Sequence, residues 1–155
     1  MTAKTNSMRL LDQRRIAYRV HTFPEAIHSA AGVAEHLGLS PAMVYKTLVV
    51  LPDRGRPMLV IIAGDRELNL KKVAGAVGVK KVKMASQTEA ERLTGLQVGG
   101  ISALALLHKP FKVYLDQRAT GLERLLVSAG KRGINLELAV SDLRRVSQAR
   151  LIEAT

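Results

Sequence analysis

Three amphipathic stretches of this chain run into a glycine, at Gly38, Gly78 and Gly95, and the apolar runs between them are no longer than single strands. A glycine after a helical pattern marks the left-handed residue on which helices commonly end. Short helices alternating with short strands exclude a long bundle, a coiled coil or a membrane span, and leave a mixed α and β domain. Ser29 opens the first stretch, with Val33 and Leu37 on its inner stripe. The second carries Leu70, Val73 and Val77, and the third starts on a capping box from Ser86 to Glu89 and reaches Thr94. Ser7 is expected to cap a short first helix through Met8, Leu11 and Asp12, and Ser141 a last one. Strands are predicted at 16–23, where Ile16, Tyr18, Val20 and Thr22 share a half-buried face, and at 46–51, 58–63, 79–84, 111–115, 125–128 and 136–140. Residues 52–57 (PDRGRP) read as a hairpin connection, and 129–133 (AGKRG) links the last two strands. The expected architecture is one domain over 1–155 with its strands in one curled sheet.

Charge narrows the partner. The chain holds 24 Lys and Arg against 13 Asp and Glu, a net charge of +11. Such a balance favours a polyanion, bound by phosphate neutralisation and counterion release. The excess is clustered: between Glu67 and Glu89 there is no acid, yet Lys71, Lys72, Lys80, Lys81 and Lys83 fall there. A second group, Arg9, Arg14, Arg15 and Arg19, faces only Asp12. With aromatic residues at 3% and no tryptophan, a stacking platform for single strands is not expected, so the contact is to a backbone and a shape. No cysteine is present, which excludes disulfides, thiolate metal sites and a cysteine nucleophile. His21, His28, His36 and His108 lack metal-ligand spacing and read as surface or satisfied histidines; no metal and no cofactor is expected. There is no phosphate-loop motif and no nucleophile elbow. The polar stretch 1–8 carries no apolar export signal and no run is long enough for a bilayer, so cytoplasmic residence is the expectation.

Two positions carry the candidate chemistry. Lys46 is a lone cation at the mouth of the apolar strand, and Gly99-Gly100 is a glycine pair inside Val98-Gly99-Gly100-Ile101-Ser102. An unpaired ammonium is costly to bury, and adjacent glycines mark a sharp turn or a close approach to bare backbone. One reading is a pocket with a fixed cation and a backbone wall; the other is a lysine snorkelling at a strand edge beside an ordinary turn.

Several motifs stand in order: 44–49 (VYKTLV), 68–74 (LNLKKVA), 80–85 (KKVKMA), Thr94-Gly95 with Gly99-Gly100-Ile101-Ser102, and Val127-Ser128 with 130–133 (GKRG). In these the chain resembles the YbaK/EbsC family of prolyl-tRNA editing proteins, and within it the freestanding Cys-tRNA(Pro) deacylase branch. The resemblance spans about residues 10 to 145. It implies a largely antiparallel mixed sheet curled into a partial barrel and flanked by helices. It also implies hydrolysis of mischarged tRNA(Pro) in trans, with prolyl-tRNA synthetase as a further partner. In that branch the substrate's own thiol attacks the ester, which needs no protein nucleophile. Lys46 would then hold the terminal adenosine, and the Gly99, Gly100 and Ile101 backbone would face the reacting ester, so that a Cβ at Gly100 would block its approach. Phe23 would wall the amino-acid pocket, and Thr47, Ser102, Ser128, Gly130 and Arg132 would supply contacts around it. Lys71, Lys72, Lys80, Lys81 and Lys83 would meet the tRNA backbone. The chain departs from the family pattern at Ala103 and Ala105, where a proline and a glycine are usual, at Leu107-His108, and at Leu96 in place of an aromatic. These changes bear on the pocket's shape and hence on which amino acid is removed. Deacylation of Ala-tRNA(Pro) or of a tRNA bearing another small amino acid, and a non-catalytic tRNA- or ribosome-associated binding module, are the alternatives.

Overall fold

Helix α1 (Asn6–Gln13) starts in a computed structural model that describes residues 3–155, so the first two positions of the polar N-terminal stretch lie outside it. Its cap is Thr5, not Ser7; the Thr5 hydroxyl accepts the Met8 N–H. Ser7, the second residue of α1, is buried and donates to the Ala129 carbonyl, pinning α1 to the start of the 129–133 connection. Arg15, at φ +57°, then reverses the chain. The expected strand at 16–23 shrinks to β1 (Arg19–Thr22), whose residues are mostly exposed. Ile16 and Tyr18 still pack into the core, but ahead of the strand. Helix α2 (Ala30–Leu37) is capped by Ser29 and ends on Gly38 at φ +69°, as read from the sequence.

β2 (Tyr45–Pro52) and β3 (Met58–Ala63) form the expected antiparallel hairpin, with Lys46 opposite Ile62 and Val50 opposite Met58. α3 (Leu70–Val77) and α4 (Gln87–Thr94) end on Gly78 and Gly95 at φ +79° and +74°, and the Ser86–Glu89 capping box is present. Between them β4 starts only at Val82 (Val82–Met84), because Val79 N–H closes α3 on Ala74 and Lys81 carbonyl accepts Asp53 N–H. β5 (Lys112–Asp116), β6 (Arg124–Ser128) and β7 (Ile134–Ala139) follow. α5 (Val140–Ser147) begins after Ala139 with no side-chain cap, so Ser141 is not the cap. β8 (Arg150–Ile152) has no counterpart in the sequence reading.

The strands form two sheets rather than one. The larger has the order β4-β2-β3-β5-β8, with β3-β5 and β5-β8 parallel; the smaller, β1-β7-β6, is antiparallel throughout. They meet at a parallel bridge between Val44 and Leu126, and the barrel stays open. β3 is central and all six of its residues are buried, which is why it reads as an unbroken apolar run. Leu59 and Ile61 face Leu125, Val127, Leu136 and Leu138 in the core between the sheets. Val60 and Ile62 turn the other way, onto Val73 and Ala74 of α3. A third cluster, with Val33, Val44 and Leu126 at its centre, lies under α2 on the outer face of the small sheet.

That outer face also carries an ion network. Glu137 accepts from His21 Nε2 at 2.8 Å and from Arg124 Nε at 3.0 Å. The His21 hydrogen bond, with that of Arg124, holds the Glu137 carboxyl below the usual carboxylate range. A lowered folded pKa stabilises the protein above the unfolded carboxylate's range, and that share is lost as pH falls through the lowered value. Glu137→Gln is therefore expected to reduce melting temperature at neutral pH and to converge with wild type in acid. A constant difference across an acid series of thermal melts would contradict this.

Candidate active site

The upper half of β2 has no partner on its outer side. Val44 is bridged to Leu126, and Val49 carbonyl accepts the Ala85 N–H where β4 approaches; between these points the edge is open. Gly64 N–H donates to Val44 carbonyl, which fixes the ladder alternation with β3. By that alternation the amide and carbonyl of Thr47 point away from β3, into a cleft of about 490 Å³. The cleft is closed by residues 28–31 ahead of and within α2, by Met84 and Ala85, by the 98–101 loop, and by Ser128 and Asn135 of the small sheet.

Lys46, Thr47, Gly99, Ile101 and Ser128 all line this cleft. Lys46 Nζ reaches only the Gly64 carbonyl, at 3.5 Å, a contact too long to hold it firmly. It forms no ion pair among the described residues, and no carboxylate lines the cleft. Tyr45 is buried beside it; burial, with the Asp116 and Asp65 carboxylates, pushes its phenol up to about 12 and keeps it neutral.

The glycine loop is braced from both sides. Val98 N–H donates to Glu91 Oε2 at 2.8 Å, and Val98 carbonyl accepts Arg132 Nε at 2.7 Å. Gly99 sits at φ +92° and a Cβ there would lie 2.3 Å from the His28 Cβ, so the loop lies flat against His28. Gly100 has a different position from the expected one. It is buried, its N–H is taken by the Gln97 carbonyl at 2.8 Å, and an added Cβ would meet the Lys131 and Arg132 backbone at 3.0–3.2 Å. Its missing side chain lets two loops touch; it does not face the cleft. The amides of Gly99 and Ile101 have no acceptor among the described residues.

The remaining expected residues form the frame. Ser102 is buried and its hydroxyl accepts Ala105 N–H, starting the 3-10 turn Leu104–Leu106. Gly130 N–H donates to Ser128 Oγ at 3.1 Å, and Arg132 is spent on Val98. Phe23 packs in the cluster under α2, behind the cleft rather than on its wall. Of the polar lining residues, His28, Gln87 and Asn135 escaped the sequence reading as site residues. His28 is exposed, as read, and lies on the cleft rim, whereas His21 is satisfied by Glu137. Asn135 is only 5% exposed, and its side-chain amide has no protein partner among the described residues, which leaves it directed to the cleft. A polar residue between Ile134 and Leu136 signals an outer strand face, but nothing local says that a cleft opens there.

The chemistry available is thus a cation, unspent backbone amides, hydroxyls, the carboxamides of Gln87 and Asn135, and the His28 imidazole on the rim. No group of His, Asp or Glu among the described residues could hold a metal. Such a site can position an anionic or ester-bearing ligand and stabilise developing negative charge.

This is the setting of an aminoacyl-tRNA editing fold, and residues 24–146 match the model of the aminoacyl-tRNA editing domain. The chain belongs to that family, of the YbaK type. It is 38% identical, over 98% of its length and 93% of the relative's, to a protein of Enterococcus faecalis provisionally named Cys-tRNA(Pro)/Cys-tRNA(Cys) deacylase EbsC. It is 36% identical to the proline–tRNA ligase of Acidithiobacillus ferrooxidans over 84% of this chain and 24% of that enzyme. Among solved structures, a hypothetical protein with 26% identity superposes with a TM-score of 0.86 over 94% of this chain and 96% of its own. A provisionally described trans-editing enzyme for prolyl tRNA synthetase shares the fold at a TM-score of 0.81 and 22% identity, with 99% of each chain covered.

Proposed function

We propose that this chain is a trans-editing deacylase that hydrolyses the ester of mischarged tRNA(Pro), with Cys-tRNA(Pro) the foremost substrate and Ala-tRNA(Pro) the next. The observation that carries the reading is the cleft itself: one cation and unspent amides, with no carboxylate and no cysteine. An aminoacyl ester is already activated, so its cleavage needs positioning and a place for negative charge more than covalent help. Lys46 holds the phosphates or hydroxyls of the terminal adenosine. The Ile101 and Gly99 amides face the ester carbonyl, while Thr47 and Ser128 contact the substrate around it. With a cysteinyl substrate, the side-chain thiol adds to the ester carbonyl, the ribose oxygen departs and takes the thiol proton, and water then opens the resulting β-thiolactone to free cysteine. Gly100, Ser102, Gly130, Arg132 and Phe23 act by holding the loops and the cleft's back wall. The relatedness to proline–tRNA ligase supports prolyl-tRNA synthetase as a partner, and the reaction belongs in the cytoplasm; no helix among the described residues is long and apolar enough to cross a membrane.

The test is release of free amino acid from Cys-tRNA(Pro), Ala-tRNA(Pro) and correctly charged Pro-tRNA(Pro) at catalytic protein concentrations. Binding without turnover on all three would leave a tRNA-binding module of the same fold. A second test concerns Asn135. Replacing its unpartnered amide by an isosteric apolar group in Asn135→Leu is expected to leave the melting temperature near wild type. It should lower kcat/KM about ten-fold, the size of one hydrogen bond of ~1.5 kcal/mol. Unchanged kinetics would remove Asn135 from substrate contact.

A further inference from the structure

The hairpin end of the large sheet carries cations that the site does not use. Pro52 pairs with Val82, and Met58 pairs with both Val50 and Lys112, so the lead into β4, the β2–β3 connection and the start of β5 all lie at that end. They bring together Lys80, Lys81, Arg54, Arg56, Lys109 and Lys112. Two hollows of about 430 and 310 Å³ share Arg56, Pro57 and Pro110 there, with cationic rims, no carboxylate, and an apolar floor that includes Met58, Tyr114 and Phe111. None of the six cations forms an ion pair among the described residues, and the acid on the connection is Asp53 alone. Lys71 and Lys72 differ. They stand in the first turn of α3 at the opposite end, and Lys72 Nζ is engaged by Glu153 at 2.9 Å and the Thr155 carbonyl at 3.0 Å.

We infer that this end of the sheet is a docking surface for a nucleic-acid backbone, and that it seats the arm of the same RNA whose 3′ end enters the cleft. The inference rests on the proposed function and adds the contact that holds the substrate. Three observations support it. First, the row crosses four strands, β4 to β5, or about 14 Å at ~4.8 Å per strand, wide enough for several successive phosphates and too wide for one small anion. Second, six residues of β2 separate Lys46 from Pro52, about 20 Å at ~3.3 Å each, which some six stacked nucleotides would span at ~3.4 Å. Third, the path between is lined accordingly: Met84, 47% exposed, sits at the cleft mouth with Lys83 next to it on the β4 edge. Arginine forks at 54 and 56 suit phosphate oxygens, and a positive rim broken only by Asp53 suits a polyanion.

The experiment compares wild type with Arg54→Gln/Arg56→Gln and, separately, Lys109→Gln/Lys112→Gln. Binding of uncharged tRNA(Pro) is followed by fluorescence anisotropy across a salt series. Deacylation is followed on full-length Cys-tRNA(Pro) and on a cysteinylated trinucleotide too short to reach the hairpin. Each double variant should weaken tRNA binding at least about ten-fold at 0.1 M salt and reduce the log–log salt slope by about 1.4 to 1.8, at ~0.7–0.9 per lost contact. Hydrolysis of the short substrate should not change, and Lys71→Gln/Lys72→Gln should move the slope less. Unchanged affinity and slope in both hairpin-end variants would overturn the inference, the surface then being free for an acidic protein partner. If wild type hydrolyses neither substrate but the tRNA-binding losses appear, the docking surface stands and the deacylase reading falls.

Discussion

Lys46→Ala is expected to lose about 10²–10³ in kcat/KM for mischarged tRNA, the usual cost of removing one preorganised charge-stabilising or positioning group. Its stability should stay within about 0.5 kcal/mol of wild type. The separation follows from the structure: Lys46 is half-buried and, among the described residues, makes a single long contact to Gly64 and pairs with no carboxylate, so folding gains little from its charge. Lys46→Arg should rescue poorly, since a planar guanidinium is larger and presents its donors in a different pattern. Single-turnover deacylation and thermal melts on the same preparations decide the matter. Near wild-type turnover in a folded Lys46→Ala protein would take Lys46 out of the reaction.

Gly99→Ala should do the opposite and damage stability and activity together. The new Cβ would lie 2.3 Å from the His28 Cβ and 3.0 Å from its carbonyl, at a φ of +92° that L side chains rarely adopt. Backbone strain and overlap together should cost about 2 kcal/mol or more. The loop can relieve the overlap only by moving off α2, which would carry the Ile101 amide away from its position. His28→Gly in the Gly99→Ala background removes one of the colliding atoms, so the double variant should be more stable than the sum of the single effects. Strict additivity would mean that the contact with His28 is not the source of the loss.

What could be read from the chain were the features that local rules fix. The glycine stops at 38, 78 and 95, the Ser86–Glu89 capping box and the 52–57 hairpin each depend on residues a few positions apart, and all are present. Lys46 stood out because a charge in an apolar strand costs energy unless something uses it. The misses depend on distant partners. β8 is three residues long and exists by pairing with β5, about 36 positions away, so no pattern within it declares a strand. Ser7 looked like a cap because serine usually is one; its hydroxyl is instead claimed by Ala129. The lysines between 71 and 83 read as one face, but α3 is about 12 Å long at ~1.5 Å per residue and places its ends apart. Asn135 and His28 became site residues only when the small sheet and α2 closed the cleft around them.

The open stretch of β2 also bears on how this protein avoids sticking to itself. An exposed strand edge is a template on which another chain can grow. Here the bare length runs only from Lys46 to Leu48, stopped on one side by the Val44–Leu126 bridge and on the other by β4, and sunk in a cleft that carries a positive charge at its mouth. A foreign strand would find too few amides to pair with and a lysine in its way. The recess that leaves these backbone groups free for a small ligand thus also protects the sheet from aggregation, and filling Lys46 with an apolar side chain would weaken that protection as well as the site.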